Sequence, residues 1–330
     1  AYPGNAARLA NVANTGAQVN QVYISAGKAV DGTHGLDIGG TFDFTFGTDA
    51  GMIQSAGLEK NTGRGSIDNR HSVGEWGSGD YYSAIAQAYV ELAYKKWNVK
   101  AGKFYAPFGC DGYKSTDRFF YSLAPTWTFV PATGGGAYAT YTVNDKLTVF
   151  GGWCSPDRFG ETKTDNVGLG GFIWQATKRL NVSYTFAAGA LHYPDPDSDI
   201  FVNTILLKYQ ISQKLRTSLD WSYTQDKTAG VTNNTGGIVH DLIYQYNKKW
   251  AFGLRSGYVR SEDGDVDWYM VSLGANWTPS KWLVVKPELR YDSIDNVGEF
   301  GWGSGDIATF PRNPGKDDQL SGGVSAVVKF

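Results

Sequence analysis

The chain has only 2 Met, 2 Cys and 4 His in 330 residues, and nowhere do eighteen apolar residues run together. The last absence excludes a membrane-spanning helix, which needs about 20 consecutive apolar positions. It leaves open a β-barrel in a membrane, whose apolar face uses only every second residue. Charge of either sign is not in excess: 30 Lys and Arg stand against 32 Asp and Glu. A strongly basic nucleic-acid-binding chain and an acidic disordered tail are both excluded. Residues Ala1 to Ala10 lack a basic segment followed by an apolar one, so the expectation is that any export signal has already been removed.

What is abundant is glycine, at 42 residues, and aromatic side chains, at 15%. Average glycine usage is about 7%, so this chain has nearly twice the norm. Glycine with β-branched and aromatic residues favours strands and tight turns over helices. One pattern recurs six times, a polar turn followed by Trp or Leu and then alternating residues. It reads Lys95-Lys96-Trp97, Asp145-Lys146-Leu147, Lys178-Arg179-Leu180, Gln213-Lys214-Leu215, Lys248-Lys249-Trp250 and Ser280-Lys281-Trp282. Most copies lie about 32–35 residues apart, the length of a hairpin with its loop. Inside each unit the period is two.

In 215–224, Leu215, Thr217, Leu219, Trp221 and Tyr223 oppose Arg216, Ser218, Asp220, Ser222 and Thr224. In 84–94, Ala84, Ala86, Ala88, Val90, Leu92 and Tyr94 oppose Gln87, Tyr89 and Glu91. Such strands either cover a soluble core or separate lipid from water. Three features choose the second. The strands run about 10–13 residues, where soluble ones average about 5–6. Short turns alternate with long connections, roughly 47–83, 105–134, 155–164, 190–198, 226–236, 261–265 and 293–318. Trp and Tyr sit at strand ends, where interfacial girdles belong.

The expected fold is therefore all-β, a transmembrane antiparallel barrel forming a single domain over 1–330, with short periplasmic turns and long external loops. Fifteen strands can be placed, from 18–29 to 319–330. Bacterial single-chain barrels have an even number. The last strand must descend to the periplasm, and counting back makes 18–29 descend too. A sixteenth, ascending strand is expected in the N-terminal segment 1–17 or upstream of it; fourteen strands is the alternative.

With the strands placed, four segments acquire a family likeness. They are Gln18-Val19-Asn20-Gln21-Val22-Tyr23, the run from Gly39 to Ala50 (Gly-Gly-Thr-Phe-Asp-Phe-Thr-Phe-Gly-Thr-Asp-Ala), the run from Asn98 to Gly109, and Phe119-Phe120-Tyr121-Ser122. Over about residues 18–125 the chain resembles the OmpL-like β-barrel porins. The resemblance implies a diffusion channel in the outer membrane of a diderm bacterium, with a further strand before the Asn-Gln segment, and supplies no substrate. The terminal Phe330, with Val328 and Ala326 before it at alternate positions, looks like the strand recognised by outer-membrane insertion machinery, although Ser325 stands where glycine is usual.

A barrel of about sixteen strands leaves an aqueous channel. The lumen face is expected to carry Lys100, Lys208, Arg216, Arg255, Lys286 and Arg290 against Asp37, Asp43, Glu91, Asp220, Asp241 and Glu288. Six against six gives the wall no strong net field, and any one of them can simply solvate the lumen. Loop 105–134 would be the third external loop, and a loop this long is usually functional or disordered. Folded inward, it offers Asp111, Lys114, Asp117 and Arg118 as constriction charges; folded outward, it is a lid or a subunit contact. Loop 47–83 could cap the pore or latch onto a neighbour. Cys110 and Cys154 both fall at the external ends of nearby strands in an oxidising compartment, so a disulfide tethering the loop is expected, the alternative being two thiols. No cofactor is implied. Calcium could be held by Asp195, Asp197 and Asp199 or by Glu262, Asp263 and Asp265, although solvated loop charge is the simpler reading.

Expected partners are outer-membrane lipid and lipopolysaccharide, small hydrophilic solutes and further copies of the chain, a trimer being favoured; nucleic acid is not among them. Catalysis has little support, since His240 and its neighbour Asp241 must point to opposite faces of a strand. The competing class is a structural or surface-lattice barrel with a plugged pore.

Overall fold

Alternation of period two is realised as one continuous antiparallel meander. The computed structural model describes residues 17–55, 57–59, 76–78, 81–156, 166–191, 198–228, 230–262, 265–295 and 318–330. The strands are β1 (Val22–Lys28), β2 (Asp37–Gly47), a two-residue β3 (Gly77–Ser78), β4 (Tyr81–Tyr94), β5 (Trp97–Tyr105), β6 (Thr133–Asn144), β7 (Leu147–Pro156) and β8 (Asn166–Gln175). They continue with β9 (Leu180–Leu191), β10 (Ser198–Gln210), β11 (Leu215–Thr228), β12 (Val231–Gln245), β13 (Trp250–Ser261), β14 (Val266–Ser280), β15 (Leu283–Ile294) and β16 (Asp318–Val328). Apart from β3, which pairs only with β4, each strand pairs with its sequence neighbours, in the order β1-β2-β4 and onward to β16.

The turns explain the repeated motif. Asn247 Oδ1 accepts from the Lys249 and Trp250 amides at 2.8 and 3.0 Å. Asn144, Thr177 and Ser212 do the same for the amides two and three residues on. A short oxygen-bearing side chain thus holds the turn with two donors that the ladder leaves over. Two residues earlier a glutamine closes the other side: Gln175, Gln210 and Gln245 each donate through Nε2 to the two carbonyls flanking the turn. The motif is therefore Gln-x-(Asn, Ser or Thr)-x-(Lys or Arg)-(Leu or Trp), a feature wider than the basic turn visible at first.

The faces are inverted relative to a water-soluble sheet. On β15, Lys286, Glu288, Arg290 and Asp292 are each at most 5% exposed, whereas Leu289 is 49% and Tyr291 42% exposed. Buried charge with exposed leucine is costly in water and natural for a wall with lipid outside and polar groups inside. At the short-turn end Trp250 stacks on Trp277 at 5.8 Å and Trp97 meets Tyr141 at 4.6 Å, forming part of an aromatic belt. Among the described residues, no helix is long and apolar enough to cross a membrane.

Lys95 N donates to Gly32 O at 2.8 Å, which sets the β1–β2 connection beside the 95–96 turn. β1 therefore descends towards the short-turn end, as β16 does, and these two are the ends of the sheet. Antiparallel closure of such a sheet takes one more ascending strand. Residues 1–16, where that strand was expected, lie outside the described residues.

Two local expectations are corrected. The connection expected at 226–236 is shorter, because Thr224 to Thr228 and Val231 to Thr235 are paired in register as parts of β11 and β12. Ala84 and Ala86 do not share a face with Val90. A β-bulge in β4, opposite the step from Asp43 to Phe44 of β2, shifts the register, so that Asp43 opposes Gln87 but Phe44 opposes Ile85. One extra residue exchanges the two faces, and Ala84 and Ala86 are fully buried while Val90 is 56% exposed. The freed Ile85 amide donates to Glu59 Oε1 at 2.9 Å. Ile85 and Val90, five residues apart, thus share the lipid face. Ile85→Arg and Val90→Arg should each cost on the order of 2 kcal/mol in equilibrium unfolding from lipid vesicles; an unbulged strand would make one of them nearly neutral.

Candidate pore constriction

Loop 105–134 crosses the lumen and is fastened to the wall on several sides. Lys114 Nζ lies 3.4 Å from Asp43 on β2 and 4.4 Å from the ring centroid of Tyr23 on β1. Gln21 donates to Tyr113 O at 2.9 Å and accepts from the Ser115 amide at 3.0 Å. Further round, Thr185 on β9 donates to Pro107 O at 2.8 Å. Asp220 on β11 accepts from the Cys110 amide at 2.8 Å and Thr126 Oγ1 at 3.1 Å. On β15, Lys286 donates to Ser115 O and Arg118 O at 2.6 Å each. Glu288 accepts from the Ser122 amide at 2.9 Å, and Arg290 donates to Leu123 O at 3.0 Å while pairing with Asp292.

The tightest fastening is at Arg255. Its guanidinium forms a fork with Asp241 on the adjacent β12 (2.7 and 2.8 Å) and a second fork with Asp111 of the loop (2.7 and 2.8 Å). The Phe120 ring covers it at 4.4 Å. Paired forks of this kind are strong and directional. Asp111 also accepts from the Ala124 amide at 2.7 Å, closing the loop on itself. Burial works against the Asp111 carboxylate, but Arg255, with Arg118 and the Ala124 amide, more than offsets it and holds its pKa below the ordinary value.

Glycines on the facing wall make room for the loop. A Cβ on Gly253 would fall 2.4 Å from Phe119, one on Gly257 2.8 Å from Pro125, and one on Gly237 3.1 Å from Phe129. The first long loop joins in. Ala50, Met52 and Ile53 pack with Ala84, Ala86, Tyr113, Leu123 and Trp127 in one buried cluster. Arg118 pairs with Asp49 at 3.6 Å, and Lys103 with Glu59 at 2.8 Å, both side chains fully buried.

Of the four loop candidates, Asp111, Lys114 and Arg118 meet carboxylates or guanidinium, whereas Asp117 is exposed and bonded within the loop through Thr116. Glu91 and Lys100 pair at 3.6 Å near the turn end. Lys208 and Arg216 are exposed there, and Asp37 pairs with Lys28. Reasoning from the sequence did not single out Asp49, Gln21, Lys103 and Glu59, and it put Asp292 on the polar face of its strand without naming it as pore-lining. Asp292 was legible as the next lumen-phase position after Arg290. Lys103 was not, because it stands three residues from Lys100, and the backbone at Gly102 (φ 137°) leaves extended geometry between them.

The expected Cys110–Cys154 disulfide is not formed. The loop carries Cys110 across to β11, where its amide holds Asp220, while Cys154 stays on β7 beside Phe104 and Gly134. Burial, then the carboxylates of Asp111 and Asp220, push the Cys110 thiol well above its ordinary pKa. Of the calcium candidates, Asp195, Asp197 and Asp263 lie outside the described residues. Asp265 is already paired with Arg260, Glu262 accepts from Asn234, and Asp199 sits in β10 opposite Lys227. His240 is exposed, and Asp241 buried on the other face.

An inverted sheet with a polar lumen and an apolar, aromatic-belted exterior defines an outer-membrane β-barrel. Residues 2–330 match the family model "Putative beta-barrel porin-2, OmpL-like", and the chain belongs to that family. It is a porin of the Gram-negative outer membrane, a channel for passive diffusion of ions and small hydrophilic solutes. Family and fold point to a non-enzymatic channel in contact with membrane lipid. No curated protein matches the sequence. Among solved structures, the fold is similar to an anion-selective porin from Comamonas acidovorans (12% identity, TM-score 0.60, 83% of this chain and 79% of that one). It is also similar to a loop L8 deletion mutant of OmpT from Vibrio cholerae (12%, 0.59, 94% and 91%). A third is the DcaP channel of Acinetobacter baumannii (12%, 0.57, 93% and 84%).

Arg255→Ala leaves Asp111 and Asp241 buried without their cation, and should lower unfolding free energy by about 3–5 kcal/mol. The depressed Asp111 pKa means that its contribution is complete above the unfolded value of about 3.9 and is lost as pH falls through the folded one. Acid should therefore open the Asp111–Arg255 fork only below about pH 4, whereas burial raises the Asp49 pKa and its contact with Arg118 loosens at higher pH, both read as changes in channel current. In the folded protein Cys110 should resist iodoacetamide at pH 8, and react after unfolding without any reductant.

Proposed function

We propose that loop 105–134 sets the size limit of this channel and that no catalysis accompanies transport. One observation carries the reading: Asp111, at the start of the loop, is held by the Arg255–Asp241 pair on wall strands well removed from its own. Loop position and pore width are then coupled. In this reading Asp43, Glu91, Lys100, Arg216, Asp220, Arg255, Lys286, Glu288 and Arg290 line the path above, at and below the narrowing. Asp111, Lys114, Asp117 and Arg118 belong to the narrowing itself. Because most of these charges are paired, the middle of the path discriminates by size more than by sign. A homotrimer embedded in lipid and lipopolysaccharide is the proposed assembly.

A second reading has its own support. The apolar cluster shared by residues 50–53 and loop 105–134 is what a plugged, structural barrel would contain. The two readings part in a swelling assay with proteoliposomes and neutral sugars of increasing size, run beside planar-bilayer recordings. A diffusion channel gives discrete, voltage-tolerant current steps and uptake that falls with solute size, and Arg255→Ala widens the cut-off. A barrel that remains heat-modifiable on gels yet passes neither current nor sugar is a plugged one.

A further inference from the structure

Beneath the loop, at the short-turn end, lies a cavity of about 210 Å3 whose charged lining is of one sign. Arg118 comes from the loop, Arg216 from the start of β11, Lys286 from β15, and Lys329 from just beyond β16. Asn276 and Thr278 on β14 add neutral polar groups, and among the described residues no carboxylate lines it. This is unlike the level above, where Arg255 and Arg290 are matched by Asp111, Asp241 and Asp292.

Two of the cations retain hydrogen-bonding capacity. Arg118 is 5% exposed, and its Nε is buried with no hydrogen-bond partner. Its terminal nitrogens are directed to Tyr113 O, Ser115 Oγ and Asp49. Lys286 gives two N–H groups to the Ser115 and Arg118 carbonyls, and an ammonium has three. Carboxylates of the described residues around these cations are committed or turned to solvent: Asp49 to Arg118, Asp111 to Arg255 and Glu288 to Ser122, with Asp117 exposed beside Thr116. Arg118 keeps Asp49 as its counter-ion, whereas Arg216, Lys286 and Lys329 form no ion pair among the described residues and repel one another and Arg118 unless an anion is shared between them. The walls concentrate the field at that point.

We infer that this cavity is a binding site for a small oxyanion, a phosphate or carboxylate group, at the periplasmic mouth of the channel. The Arg216 fork matches the oxygen spacing of either group, Arg118 offers its Nε, and the lysines add point charge. At about 30 Å3 for each water, the volume holds one such group with several waters. The site is a resting place below the constriction, so solutes bearing these groups are retained there relative to neutral ones. The inference rests on the barrel being a diffusion path, and its test can be separated from that reading.

Inorganic phosphate is titrated by calorimetry into the folded, detergent-solubilised protein at constant ionic strength against chloride. Saturable binding is expected, weakened about tenfold in the R216Q/K329Q double variant, which removes two charges at the mouth. Folding of the variant is checked by heat-modified gel mobility. The single K329Q variant, altered beyond the last strand, should show a smaller loss in the same direction. No saturable binding by the parent protein, or equal binding by parent and variants, overturns the site. In planar bilayers phosphate should also reduce chloride current from one face only, and block from both faces alike overturns its placement. Binding without any conductance would sink the diffusion reading and leave the site standing, whereas conductance without binding would do the reverse.

Discussion

Lipid offers no hydrogen bonds, so a backbone crossing it must satisfy every amide within the protein. The rest of this structure depends on that constraint. It forces the continuous ladder from β1 to β16, and the ladder forces side chains to alternate between lipid and lumen. The apolar exterior and the charged interior are then two sides of one requirement. The turn chemistry extends it to the strand ends, where Asn, Thr, Ser and Gln side chains take up the donors and acceptors that the ladder cannot reach.

The same alternation creates a difficulty inside. A lumen lined with charge remains favourable only while water or opposite charge is present. Loop 105–134 removes water from part of that surface, and the structure responds with pairing. Arg255 has two carboxylates, Arg290 has Asp292 and backbone carbonyls, and Lys103 has Glu59. The apolar residues of the loop settle on wall glycines, where no side chain competes for the space. The loop is therefore built as part of the interior. In the cavity beneath it Arg118 keeps Asp49, while Arg216, Lys286 and Lys329 face the space with no ion pair among the described residues.

Much of the architecture was legible because its signal is local. Fifteen strands and their order follow from period-two runs and a turn motif repeated along the chain, and each run carries its own evidence. Errors arose where one residue broke the period. The bulge opposite Asp43 moved Ala84 and Ala86 to the lumen, and the non-extended backbone at Gly102 hid Lys103. Alternation cannot report such a slip, since alanine reads as apolar on either face. The hairpin at 225–234 was taken for a loop because Gln, Asp, Lys, Thr and Asn carry no apolar alternation, although they pair in full.

The candidate site divides along the same line. That Arg255, Lys286, Glu288 and Arg290 face inward follows from their spacing, and the inward loop was one of the alternatives its length allowed. Which wall residue each loop residue would meet was beyond the sequence. Asp111 and Arg255 are 144 positions apart, and Cys110 reaches Asp220 when its sequence context suggested Cys154. By itself, the sequence determined the barrel, its sidedness and the polarity of its lumen, because those depend on neighbouring residues in one strand. Only the tertiary structure decided where the loop is pinned and where four cations converge, because those depend on distances across the lumen, which no spacing along the chain records.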